Sequence, residues 1–120
     1  MLFDFASAFH VQKMKSGNPV VYLLREQFGS FAGSPHKADA CDTIASSLRQ
    51  LGQAGEAAMW YEAAAALMYG RVDLRPEIRA MYAMEEYEKA LACHTEVGDA
   101  DAKAECKEIL VGLRRACAPA

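Results

Sequence analysis

A chain of 120 residues, 52% apolar and 24% charged, has the make-up of one ordinary globular domain, which excludes an intrinsically disordered chain. Its net charge of −3 and a longest basic run of only Arg114 and Arg115 provide no broad positive field for phosphate backbones, which excludes nucleic acid as the main ligand. The apolar opening MLFDFASAFH is interrupted by Asp4, has no basic residue ahead of it and is too short to cross a bilayer, so a cytoplasmic chain without signal or membrane segment is expected.

Alanine is abundant, Glu, Gln, Leu, Met, Arg and Lys fill most of the remainder, and β-branched residues are sparse. That composition favours helix over strand. Gly and Pro fall between the apolar-periodic stretches rather than within them, and they divide an all-α chain into about six helices in antiparallel pairs. The first helix is expected over about residues 2–15, with Leu2, Phe5, Ala6 and Phe9 at helical spacing, and Ser16 and Gly17 ending it. Asn18 followed by Pro19 starts a second, striped by Val20, Leu23, Leu24 and Phe28. The stretch GSFAGSP, residues 29–35, is the clearest loop. It separates an N-terminal helical pair over 1–33 from the helices of 34–120 within a single domain.

A third helix then runs from a Ser34 cap to about Leu51, carrying Ala38, Cys41, Ile44, Ala45 and Leu48 on one face, with Gly52 as its left-handed terminator. The fourth covers about Glu56 to Tyr69, with Trp60, Ala64, Leu67 and Met68 turned inward, and Arg71 to Arg75 form the next turn. No breaker occurs from Pro76 to Val97, which predicts a helix about 33 Å long at the standard rise. Gly98 and Asp99 stop it and begin the last helix, to about Ala116, whose apolar side is Cys106, Ile109, Leu110 and Leu113.

The four cysteines, Cys41, Cys93, Cys106 and Cys117, are expected as free thiols, since a chain without a secretory signal and with enough core needs no disulfides. Cys93, His94, Cys106 and Cys117 are the most metal-like cluster, yet Cys106 and Cys117 stand about three turns, roughly 16 Å, apart on one helix. No CxxC or HxxxH pair is present, so no metal and no cofactor are expected. His10 and His36 have no acid or nucleophile in a recognisable motif, and phosphate loops and GxSxG elbows are absent. A non-catalytic chain follows. The run Glu85, Glu86, Glu88, Lys89 reads either as an acidic docking surface or as a solvated helix face, and Met59, Met68, Met81 and Met84 as core filling by default or as an adaptable partner-binding groove.

The third and fourth helices resemble the tetratricopeptide repeat, a helix-turn-helix unit of about 34 residues. Ala45 stands where two helices cross closely, Leu48 three residues on, Gly52 near the turn, and Glu56, Ala57, Tyr61 and Ala64 follow the second-helix spacing. Alanine at the crossing lets helix axes approach, and the aromatics fill the space beside them. Tyr87, Ala90 and Leu91, leading to Gly98 and Asp99, echo Tyr61 to Ala65 at a step shorter than the unit, so the second unit is irregular.

The resemblance implies a right-handed α-α superhelix and a module that binds a segment of another protein, as an adaptor or dedicated chaperone. Its partner-facing groove would lie on the exposed side of the first helix of each pair, implying Asp39, Asp42, Ser46, Arg49 and Gln50. The carboxylate-clamp members of the family place Lys and Asn where Asp42 and Ser46 stand, so a chaperone C-terminal carboxylate is a poor ligand. A homodimer through an uncovered apolar end is also expected. The competing readings are an accessory subunit of an enzyme complex, docked through Phe3, Phe5 and Phe9, and a thiol or metal sensor.

Overall fold

The computed structural model describes residues 35–117, which form four helices: α1 (Pro35–Gln50), α2 (Ala54–Tyr69), α3 (Pro76–Val97) and α4 (Ala100–Cys117). No strand occurs among the described residues. The expected helices over 2–15 and from Asn18, with Phe3, Phe5 and Phe9, and the Ser34 cap lie outside the described residues.

α1 and α3 end in the same way. Gln53 N–H donates to Leu48 O (2.9 Å) and Gly52 N–H to Arg49 O (3.0 Å); likewise Asp99 N–H donates to His94 O (3.1 Å) and Gly98 N–H to Thr95 O (3.2 Å). Each pair of bonds reaches back to the carbonyls that a helix end leaves open, and each requires a left-handed residue at the glycine. Gly52 has φ 81° and Gly98 φ 74°. In both cases one further residue leads to an alanine that opens the next helix, so the tight turns fold α2 back on α1 and α4 back on α3. Asp99 also caps α4, accepting from Ala102 N–H at 3.1 Å. Pro76 sits in the first turn of α3, where its missing N–H is tolerated.

α2 packs against both α1 and α3, and α4 packs against α3. The main core joins Ala45 of α1, Ala57, Ala58, Tyr61 and Ala65 of α2, Ala83, Tyr87 and Ala90 of α3, and Cys106, Ile109, Leu110 and Leu113 of α4. A second cluster sets Ala38 and Cys41 against Ala63, Ala64, Ala66 and Leu67. From Ala63 to Leu67 no residue of α2 is more than 2% exposed. A helix this rich in alanine has no bulk of its own to hold neighbours apart, so backbones approach closely and the larger volumes come from Tyr61, Leu67 and Tyr87.

The positions that carry the repeat resemblance are distributed accordingly: Ala45, Ala57, Tyr61 and Ala64 are buried, Leu48 is half-buried against the core, and Glu56 is exposed. Ala64 and Leu67 face inward as expected, while Trp60 and Met68 are only partly covered. Ile44 departs from the expected apolar face and is 39% exposed. No helix among the described residues is long and apolar enough to cross a membrane.

Candidate functional site

Two ion pairs tie α1 to α3. Lys89 Nζ donates to Asp42 Oδ2 at 2.8 Å, and Arg49 Nε donates to Glu96 Oε1 at 2.9 Å, each pair joining residues 47 apart in sequence. Because Arg49 follows Asp42 by two turns and Glu96 follows Lys89 by two turns, equal separation means that α1 and α3 run parallel, side by side. α2 lies behind them, antiparallel to both. The arrangement follows from two successive hairpins, each turned by a left-handed glycine after its first helix.

Beside this joint a groove of about 560 Å³ opens. α1 contributes Ala38, Asp39 and Asp42; α2 contributes Met68; the turn after it contributes Arg71 and Leu74; and α3 contributes Tyr82, Glu85, Glu86 and Lys89. Lys89 is the centre of the polar part. Besides Asp42 it reaches Glu86 Oε2 at 3.2 Å, and its ammonium lies 5.8 Å from the centre of the Tyr61 ring. Arg71 is held by Asp73, Nη2 to Oδ2 at 2.7 Å.

Glu86 is a buried carboxyl whose side chain is only 9% exposed. Burial, reinforced by the hydrogen bond and negative charge of Asp42, pushes its pKa from 4.5 to about 8 against the opposing pull of Lys89. Asp42 moves the other way: the hydrogen bond from Glu86 holds it below the usual carboxylate range, with Lys89 helping and burial opposing. One proton is thus shared by the pair near neutral pH and resides on Glu86. Burial works against the Lys89 ammonium, but the hydrogen bonds to Asp42 and Glu86, and the negative charge that the two carboxyls carry between them, outweigh it and raise its pKa. Lys89 is therefore a cation fixed between Asp42 of α1 and Glu86 of its own helix.

The five residues of α1 implied by the repeat resemblance separate along the helix. Asp39 and Asp42 line the groove. Ser46, a turn further, shares a hydrogen bond of 3.0 Å with the Tyr61 hydroxyl. Arg49 is engaged by Glu96, and Gln50 is exposed at the helix end. Of the α3 wall, Glu85, Glu86 and Lys89 fall in the run that reads from sequence as a docking surface or a solvated face, whereas the burial of Glu86 is not part of either reading. Its signal is periodicity: Glu86 lies on the same stripe as Ala83, Tyr87 and Ala90, all buried, where a carboxyl must find partners. Arg71 and Leu74 carry no such signal, since only the path of the turn brings them to the groove, whereas Tyr82 shares helical spacing with Glu85, Glu86 and Lys89 on α3.

The cysteines are spent in packing. All four are free, and Cys41, Cys93 and Cys106 are buried. Cys106 Sγ donates to Tyr87 O at 3.2 Å and Cys117 Sγ to Glu77 O at 3.7 Å. Burial pushes the Cys41 thiol up to about 11 and that of Cys106 up to about 12, so both are protonated at neutral pH. Among the described residues no group of three or more His, Cys, Asp and Glu is placed to hold a metal ion. His94 Nε2 instead faces Glu62 Oε2 at 3.5 Å, between α3 and α2. No known protein family, curated protein or solved structure matches the chain.

Proposed function

We propose that the chain is a non-catalytic interaction module of tetratricopeptide-like type, an adaptor or dedicated chaperone that holds a segment of a partner protein in the groove between α1 and α3. The observation that carries this reading is the parallel placement of the first helices of two successive hairpins, joined by the Asp42–Lys89 and Arg49–Glu96 pairs and flanking an open groove. The separation of 47 residues across that joint exceeds the regular unit of about 34, so the array is irregular. Met68, Leu74 and Tyr82 give the groove apolar rungs beside polar walls, the mixture that fixes a bound segment in place.

The outer face of α4, with Asp101, Glu105, Lys107, Glu108, Arg114 and Arg115 exposed around Val111, is mostly polar in the manner of a capping helix. It disfavours stacking a second copy at that end. Site-specific photocrosslinking tests the reading, with a crosslinking residue placed at Asp39 or Tyr82 in the groove and, as a control, at Glu105 on α4. A crosslink from both groove positions to one segment of another protein, not formed from Glu105, is the expected result. The same adducts from all three positions, or none from the groove, would sink it.

A further inference from the structure

The groove presents more negative charge than the chain itself neutralises. Of its two cations, Arg71 is held by Asp73 and Lys89 by Asp42 and Glu86. Asp39 on α1 and Glu85 on α3 line the groove from its two flanking helices, are exposed, and enter no ion pair among the described residues. With Lys89 matched by Asp42, and the charge of Arg71 divided between Asp73, which it bonds, and the more weakly felt Asp39, the groove keeps an excess of carboxylate charge centred on Asp39 and Glu85. The same groove carries the apolar surfaces of Met68, Leu74 and Tyr82.

Resting on the reading of this groove as the binding face, we infer that its occupant is a basic segment of a partner protein, in which a Lys or Arg head pairs with Asp39 and Glu85 and its apolar stem and neighbours lie on Met68, Leu74 and Tyr82. Long cationic side chains suit such a surface because their methylene stems cover apolar groups while the charged head stays in water. The Tyr82 ring offers an arginine a face to stack on. An acidic segment would meet Asp39 and Glu85 as like charges, and repulsion of the wrong partner discriminates as strongly as attraction of the right one. The internal cations do not reverse this preference, since releasing Lys89 for an acidic ligand would leave Asp42 and the buried Glu86 without their partner.

The test selects a random peptide library, about twelve residues long and displayed on phage, on the full chain, then measures the recovered peptides by fluorescence polarisation. Binding is compared with that of the Asp39→Asn/Glu85→Gln double variant and of Tyr82→Ser, each checked by thermal melt for a native fold. The expected result is enrichment of Lys and Arg among binders and a Kd raised about three- to tenfold by the double variant, the size of two exposed ion pairs. Affinity should also fall at about 0.5 M salt. Binders without basic residues that tolerate the double variant but are lost with Tyr82→Ser would overturn the basic partner while leaving the groove as the binding face. Binders indifferent to every variant, or no binders, would overturn both.

Discussion

Glu86 occupies a position where a carboxylate is costly and a carboxylic acid is not. Buried on the inward stripe of α3, it keeps its proton to a pKa of about 8 because burial penalises the anion and Asp42 accepts its hydrogen bond. The sign of the pH dependence follows from that. Between the ordinary value of 4.5 and about 8 the folded chain holds a proton that the unfolded chain has lost, so rising pH favours unfolding across this window and no further above it. The slope is on the order of 1 kcal/mol per pH unit. Asp42, shifted down, contributes its own dependence at acidic pH below this window. Glu86→Gln reproduces the protonated acid, with an amide to donate to Asp42 and a carbonyl to accept from Lys89. The variant should gain stability over the parent chain as pH rises from about 5 to about 8, read as a widening difference in Tm. A constant difference across that range would mean that Glu86 ionises as an exposed carboxylate does.

The helices depend on how they end as much as on what they bury. α3 continues for 22 residues and then stops within one, because Gly98 enters the left-handed region and returns two N–H groups to open carbonyls. A methyl group at Gly98 would meet nothing within 4 Å, so the cost of Gly98→Ala is purely that of the backbone conformation, about 1 kcal/mol. Urea unfolding should show that loss, together with a similar one, about 1 kcal/mol, for Asp99→Ala through its cap on α4. A neutral Gly98→Ala would mean that α3 ends by another route. The same chemistry at Gly52 explains why the α1–α2 and α3–α4 turns were both legible in the sequence, and why the α3 boundaries were found to the residue. α2 begins earlier than expected, at Ala54 rather than Glu56, because the turn after Gly52 closes in a single further residue and Gly55 is accommodated within the helix.

At the scale of the whole molecule, the helices are held together chiefly by buried surface behind the groove rather than by the ion pairs in front of it. Arg49 and Glu96 are 37% and 45% exposed, so a double-mutant cycle across them should return only about 0.2 to 1 kcal/mol. Leu110, at 2% exposed in the seam between α3 and α4, should cost about 2 to 5 kcal/mol when cut to Ala. Both are measured by urea unfolding. A larger coupling across Arg49 and Glu96 than the cost at Leu110 would place the stability in the joint instead. The ion pairs have a different role: they fix α1 parallel to α3 at a set register, and so give the groove its shape.

The sequence alone determined the helical class and the punctuation of the described helices, because glycine, proline and apolar spacing act locally and need no partner to be read. It also pointed to the face of α1 that carries Asp39, Asp42 and Arg49. Only the tertiary structure decided what that face does. Asp42 and Arg49 turn out to be committed to α3, Ser46 to Tyr61, and Asp39 to a groove completed by Tyr82 and Glu85 from a helix some forty residues further on. No local pattern encodes those pairings, since they depend on how two turns and an alanine-rich helix bring distant segments side by side. Nor does a run of Glu and Lys announce which carboxyl will be buried. Burial is set by the surface that packs against it, and with burial come the proton that Glu86 keeps and the charge that the groove presents.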